Sequence, residues 1–482
     1  MRKILVLAIA IISVYSLSAE EGSFKTYSLK QAVEYGLQNN ISAKNAKLSE
    51  AEATARNNEL LSMGLPQINA NFDYTYYIIR PLTPAISKIF NDPNSLTNQV
   101  YQNLALNGNN PGLLQLLSNY QTAHKNDKLY FVTPNNVSTG IALSQLVYDT
   151  RFFVGIKTFK SLVLLSQQTT ALTEQEVKYN IMKGYYETQA AKEIIRVLDS
   201  NLVIVERLLH DTRETYKEGL IEETDVDRLE LGESTLKSQI NNTKNLFQLS
   251  LSSLKYYMGL QITDRIALTD DIESLRRQIP EVAPESFDPS QRIESQLLET
   301  SVKLHDFDRK QRIAGYYPSI YLMGNFGGGS QVSKVKDFFT KQDDGYGGRV
   351  SNWFLQSFVG FTIKIPIYDG GQKHASVKQA NIQLQKSKND LENFRNQSSL
   401  QVAAAKTTFT TNLIEEQNAK ESMRLNTKIF NKTQVKFKEG VSSSFELILT
   451  EQDQTSNLIK YYTAVKNVLT SRAELDKALG IK

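Results

Sequence analysis

The second half of this chain repeats the first. Tyr216-Lys217-Glu218-Gly219-Leu220 returns 221 residues later as Phe437-Lys438-Glu439-Gly440-Val441. Tyr257-Met258-Gly259-Leu260 returns as Ala478-Leu479-Gly480-Ile481, and Leu146-Val147-Tyr148-Asp149 as Pro366-Ile367-Tyr368-Asp369. A duplication at this spacing means one supersecondary unit used twice. Each unit holds both alternating strands and very long helices, and few architectures need both.

Four segments alternate with period two. Ile68, Ala70, Phe72, Tyr74, Tyr76 and Ile78 share one face, opposite Gln67, Asn69, Asn71, Asp73 and Thr75. A second strand runs from about Val137, with Thr139, Ile141 and Leu143 on its apolar side. A third carries Ile320, Leu322, Gly324 and Phe326; a fourth carries Leu355, Val359, Phe361, Ile363, Ile365 and Ile367. One apolar and one polar face suits a wall between lipid and water, though a half-buried soluble sheet alternates in the same way. Tyr74, Tyr76, Tyr77, Trp353, Phe354 and Tyr368 sit near strand ends, where an aromatic girdle belongs. If the strands lie in a membrane, four cannot close a barrel, which needs about eight. Further copies must then complete it, because lipid tolerates no open sheet edge.

Between these strands the chain is helical. From about Arg151 to Glu218, and from Gly371 to Glu439, there is no proline. Ile195, Leu198, Leu202, Val205, Leu209, Thr212 and Tyr216 step alternately by three and four, a heptad seam. A helix of about 68 residues would run roughly 100 Å. Returning helices span about Glu223 to Met258 and Ser443 to Leu479, the latter keeping the step at Leu458, Tyr462, Val465 and Leu469. Gly219 and Gly440 stand where a left-handed helix cap is wanted, and Thr224 and Ser443 or Ser444 offer oxygens to cap the next helix. Shorter helices, Leu29 to Ser62 and Pro289 to Ala314, precede the strands. The expected division is a leader at 1–19, a first repeat at 20–260, a linker at 261–288 and a second repeat at 289–482. Polar inserts at about Arg80 to Asn136 and Gly327 to Asn352 read as loops, with Gly327-Gly328-Gly329 as a flexible strand exit.

The leader has Arg2 and Lys3, an apolar core from Ile4 to Val14, and small residues Ser16, Ser18 and Ala19, as in a secretory signal. Removing its two cations narrows the excess of basic over acidic residues from four to two, which gives no reason to expect nucleic acid. The chain has no cysteine, which excludes disulfides, thiolate metal sites and thiol catalysis. Its four histidines, His124, His210, His305 and His374, are too scattered to share a helix face. No HExxH, GxSxG or Walker pattern occurs, so neither enzyme chemistry nor a cofactor or metal site is expected. Glu222, Glu223, Asp225 and Asp227 are either a carboxylate cluster with chemistry of its own or a complement to the helix dipole.

Taken together, the signal, duplicated halves, paired strands and glycine-turned hairpins resemble the TolC-type outer-membrane efflux family. The local signatures are Tyr216-x-x-Gly219-Leu220 with Thr224-Asp225-Val226, Phe437-x-x-Gly440-Val441 with Phe445-Glu446-Leu447, Leu65-Pro66-Gln67-Ile68, Tyr317-Pro318-Ser319-Ile320, and Pro366-Ile367-Tyr368-Asp369-Gly370-Gly371. The resemblance implies a mostly α membrane protein of α+β class. It implies a homotrimer with a twelve-stranded barrel in outer-membrane lipid and a helical tunnel in the periplasm. It also implies a periplasmic adaptor and an inner-membrane pump as partners, with Gly219, Leu220, Ile221, Gly440 and Val441 as adaptor contacts. Thr224 and Asp225 match the family's gate network, and Glu446 stands for a constricting aspartate. Phe437 replaces a gating tyrosine, Ser442 a gating arginine and Leu449 a second acid, which leaves the gate looser or held by residues such as Glu214 or Glu222. The competing expectation is a secreted or surface coiled-coil structural protein or adhesin.

Overall fold

The structure is a computed structural model that describes residues 25–80, 132–282, 287–343 and 349–481, with isolated positions between 99 and 115. The leader and most of the first polar insert lie outside the described residues. The elements run β1 (Lys25–Tyr27), α1 (Leu29–Asn39), α2 (Ile41–Met63), β2 (Gln67–Tyr76), β3 (Asn135–Asp149), α3 (Thr150–Lys217) and α4 (Glu223–Met258). They continue with β4 (Ile266–Leu268), α5 (Ile272–Arg277), α6 (Ile293–Ala314), β5 (Ser319–Val332), β6 (Lys341–Asp343), β7 (Arg349–Ser351), β8 (Trp353–Lys364), α7 (Gln372–Lys438) and α8 (Ser444–Leu479). Two compact units result. Of the described residues, one comprises those up to Asn57, those within Lys157–Arg309 and those from Val377; the other comprises those within Asn58–Ile156 and Lys310–Ser376.

The first unit is helical. Its main core gathers Tyr185, Ile181, Leu254, Met258, Tyr461, Val465 and Leu469. Most of the heptad seam is inward: Leu198, Val205, Leu209 and Thr212 are buried and Ile195 and Leu202 half-buried, but Tyr216 at its end is exposed. The segment 261–288 is more than a connection. Its β4 pairs in parallel with β1, and Ile266, Leu268, Ile272 and Leu275 are buried. Arg276 pairs with Glu416 of α7 at 2.8 Å, and both are nearly buried. The single helix expected from Leu29 to Ser62 is broken at Asn40. Its Oδ1 accepts from the N–H groups of Ser42 (2.8 Å) and Ala43 (3.2 Å), and its Nδ2 donates to the carbonyl of Tyr257 at 2.8 Å. An asparagine that caps a new helix and satisfies a distant carbonyl outweighs continuation.

The second unit holds an antiparallel sheet in the order β2-β3-β5-β8. Its register decides the faces, because directly paired residues point the same way. Ile68 lies opposite Leu143, Leu143 opposite Gly324, and Gly324 opposite Val359. Ala70, Ile141, Phe326 and Ser357 form the next such row. The apolar sides of all four strands therefore coincide and are uncovered along most of their length: Phe72 is 71% exposed, Leu355 78% and Val359 77%, while at one end Val137 is buried with Val332 and Phe338. Asn71, Asp73, Asn136, Ser138, Asn325 and Gln356 share the opposite face with Gly140 and Gly327. Two corrections follow. Gly327–Gly329 are interior to β5 rather than a strand exit, because the backbones approach too closely for a side chain: a Cβ on Gly327 would sit 2.7 Å from the Cα of Gly140. Phe354, expected in the girdle, pairs with Gly329 on the polar face, whereas Trp353 keeps the apolar side. β8 also stops at Lys364, short of Ile365 and Ile367, as Pro366 has no N–H to donate.

Candidate functional site

The two hairpin ends are built alike. After α3, the N–H of Gly219 donates to the carbonyl of Tyr216 at 2.8 Å, and that of Leu220 to Thr215 at 3.2 Å. After α7, Gly440 donates to Phe437 at 3.0 Å and Val441 to Lys436 at 2.8 Å. This is the Schellman arrangement, which needs a left-handed residue; φ is 76° at Gly219 and 71° at Gly440. The next residues, Leu220 at 70% exposure and Val441 at 76%, project as apolar side chains with nothing over them.

Capping follows expectation only in the second hairpin. Ser443 caps α8, its Oγ accepting from the N–H of Glu446 at 3.3 Å. In the first, Glu222 occupies the cap position but its side chain makes no capping bond to the helix. Thr224 is already inside the helix, so it cannot cap it; its hydroxyl donates to Glu222 Oε2 at 3.2 Å. Asp225 ties the two hairpins together by a hydrogen bond, accepting one from the hydroxyl of Ser444, which was expected to cap a helix instead. Beside that bond the guanidinium of Arg228 lies 5.3 Å from the centre of the Phe445 ring. Ser442 and Glu446 bond each other, hydroxyl to carboxylate, at 2.6 Å. Phe437 packs against the buried cluster formed by Leu208, Leu209, Val226, Leu229, Phe430 and Leu447, exchanging a hydroxyl for apolar contact. Gly219, Leu220, Ile221, Gly440 and Val441 make up the turns themselves. The Ser444 bridge and the Arg228 contact were not foreseen, since neither motif announces a partner in the other repeat.

A second unforeseen feature lies farther along the hairpins. Asn201 donates to Thr455 Oγ1 at 2.8 Å, and the Thr455 hydroxyl donates to Glu451 Oε1 at 2.7 Å. All three are buried, and burial raises the pKa of Glu451 above the ordinary glutamate value. A folded pKa above the unfolded one stabilises at low pH, and that contribution fades as pH rises through the folded value. Glu451→Gln is therefore expected to raise thermal stability at pH 7 and to change it little below the ordinary glutamate pKa. A melting series across that window checks the sign.

Among the described residues no cluster of three or more His, Asp or Glu side chains is arranged to hold a metal ion, and no helix is long and apolar enough to cross a membrane.

The fold is like that of solved outer-membrane channels, and residues 299–481 match the family described as outer membrane efflux protein. The crystal structure of the Campylobacter jejuni CmeC outer membrane channel superposes with a TM-score of 0.69 at 15% identity, covering 94% of this chain and 85% of that one. The open-state MtrE outer membrane channel of Neisseria gonorrhoeae gives 0.68 at 15% identity, covering 94% and 88%. In sequence, the outer membrane protein TolC of Vibrio cholerae is 21% identical over 259 residues, 53% of this chain and 56% of that protein. The chain thus spans about half the length of the curated relatives it matches.

Proposed function

We propose that this chain is one of three identical subunits of a passive export conduit through the outer membrane and periplasm. The carrying observation is the four-stranded sheet. Its apolar face is bare along most of its length, and among the described residues β2 and β8 each pair on one side only. In lipid, unpaired backbone groups on such edges are costly, and closure by further copies satisfies them. Three chains of four strands make twelve, a barrel wide enough to leave a lumen. The family match and the outer-membrane relatives support the same location. A leader at 1–19 is removed on export, and the repeats 20–260 and 289–482 supply matching strands and hairpins to the assembly.

The hairpin ends form the periplasmic entrance. Leu220 and Val441, with Ile221 and the turn glycines, are the contacts for a periplasmic adaptor that joins the conduit to an inner-membrane pump. Thr224, Asp225, Phe437, Ser442 and Glu446 set the closed entrance. Opening follows if the adaptor binds the open state better than the closed one. Function is tested by purifying the chain in detergent and inserting it in a planar bilayer. A particle of three chains with steady conductance is expected; a monomer soluble without detergent would sink the proposal. Within that assay, Glu446→Ala should weaken block by divalent cations, because three Glu446 carboxylates near one axis focus a negative field. An unchanged divalent titration would remove Glu446 from the constriction.

A further inference from the structure

The two hairpins differ in charge where their folds agree. In the last five turns of α7, residues 420–438 carry six basic side chains and one acidic. Lys428, Lys432 and Lys436 follow one another at i, i+4 spacing, which aligns them as a ridge. All three are exposed and, among the described residues, none has an ion-pair partner, whereas Arg424 is held by Glu421 at 2.6 Å. Exposed Leu425, Ile429 and Val435 lie among them. The corresponding positions of α3 are Arg207, Asp211 and Thr215, so the duplicated unit does not require the ridge. The first hairpin has the opposite balance: residues 206–233 hold ten acidic and four basic side chains. Some of its carboxylates are used internally, Glu214 by Lys217, Glu230 by Arg213, and Glu206 and Glu233 by Lys237. Asp211, Glu218, Glu223 and Asp227 have no ion pair among the described residues.

We infer that the Lys428–Lys432–Lys436 ridge docks on the acidic end of the first hairpin in a second copy of this chain. The inference rests on the trimeric reading above and specifies which surfaces meet. Ridge and acidic end lie on different hairpins, so the contact is head to tail, and repeated contacts of that kind close a ring. Single exposed ion pairs contribute little. A row of them beside aliphatic side chains that become buried sets register and rejects like-charged pairings.

A zero-length carbodiimide, which joins a lysine amine to a touching carboxylate as an amide with loss of water, reads the contact directly. The purified full-length assembly in detergent is treated, and linked peptides are mapped from the multimeric bands of a denaturing gel. Links from Lys428, Lys432 or Lys436 to carboxylates in 206–233 are expected. The triple change Lys428→Arg/Lys432→Arg/Lys436→Arg keeps the charge but removes the reactive amines; it should still assemble while losing those bands at least tenfold. Bands that persist unchanged in that variant, links to carboxylates elsewhere, or an assembled wild-type protein without multimeric links would each overturn the inference and leave the conduit standing. A wild-type protein that does not assemble would remove both.

Discussion

Val359→Lys should abolish stable insertion, whereas Gln356→Lys should be nearly silent. The two residues are three apart on β8 but on opposite faces: Val359 is paired with Gly324 on the apolar side, Gln356 with Gly327 on the polar side. A lysine on the lipid face near the bilayer middle costs about 2–4 kcal/mol, while a lumen substitution faces water. Three copies would repeat the penalty around one barrel. The measurement is the yield of heat-resistant oligomer in outer-membrane fractions. Equal yields from the two variants would mean that neither face meets lipid. A soluble β-cap, the alternative that period-two patterning leaves open, predicts that opposite result.

Gly259→Ala should be the most damaging of the glycine replacements at helix ends, and Gly219→Ala should be much milder. Both glycines have nearly the same φ, 77° and 76°, so the left-handed penalty of roughly 1–2 kcal/mol is common to them. Their surroundings differ. A Cβ at Gly259 would lie 2.5 Å from the carbonyl oxygen of Asn39 and 2.9 Å from the nitrogen of Asn40, whereas at Gly219 nothing lies within 4 Å. Backbone cannot swing aside as a flexible side chain can, so overpacking adds about 1–3 kcal/mol at Gly259. Gly480, the duplicate of Gly259, falls between them, with Arg292 atoms 3.4 Å away. Melting temperatures at one fixed protein concentration give the comparison, since assembly itself shifts apparent stability. If Gly219→Ala proved as harmful as Gly259→Ala, the clash with the α1–α2 junction would not be the cause.

That junction shows how far a linear reading goes. The pattern of residues 29–62 is helical throughout, and only the capping chemistry of Asn40 with the nearby Tyr257 carbonyl breaks it. In the same way β4 and α5, of three and six residues, are too short for periodicity to register. They become elements because β1 and the helices around Tyr185 and Tyr461 give them something to pair with and bury against. At the hairpin ends, Gly219, Gly440 and Ser443 were legible because a left-handed residue and a capping hydroxyl are local requirements. Asp225 meeting Ser444, and Asn201 reaching Glu451 through Thr455, join residues more than 200 positions apart.

The amino-acid order alone determined the duplication, the strand faces, the long helices and the places where they reverse. Each depends on interactions within a few residues: side-chain alternation, heptad spacing, a glycine that tolerates positive φ. Tertiary structure decided the rest. Strand register alone brought four apolar faces to one side. Helix packing alone paired Glu230 with Arg213 and Glu206 with Lys237, and left a row of lysines without partners. Those outcomes depend on which distant surfaces meet, and local spacing does not encode that.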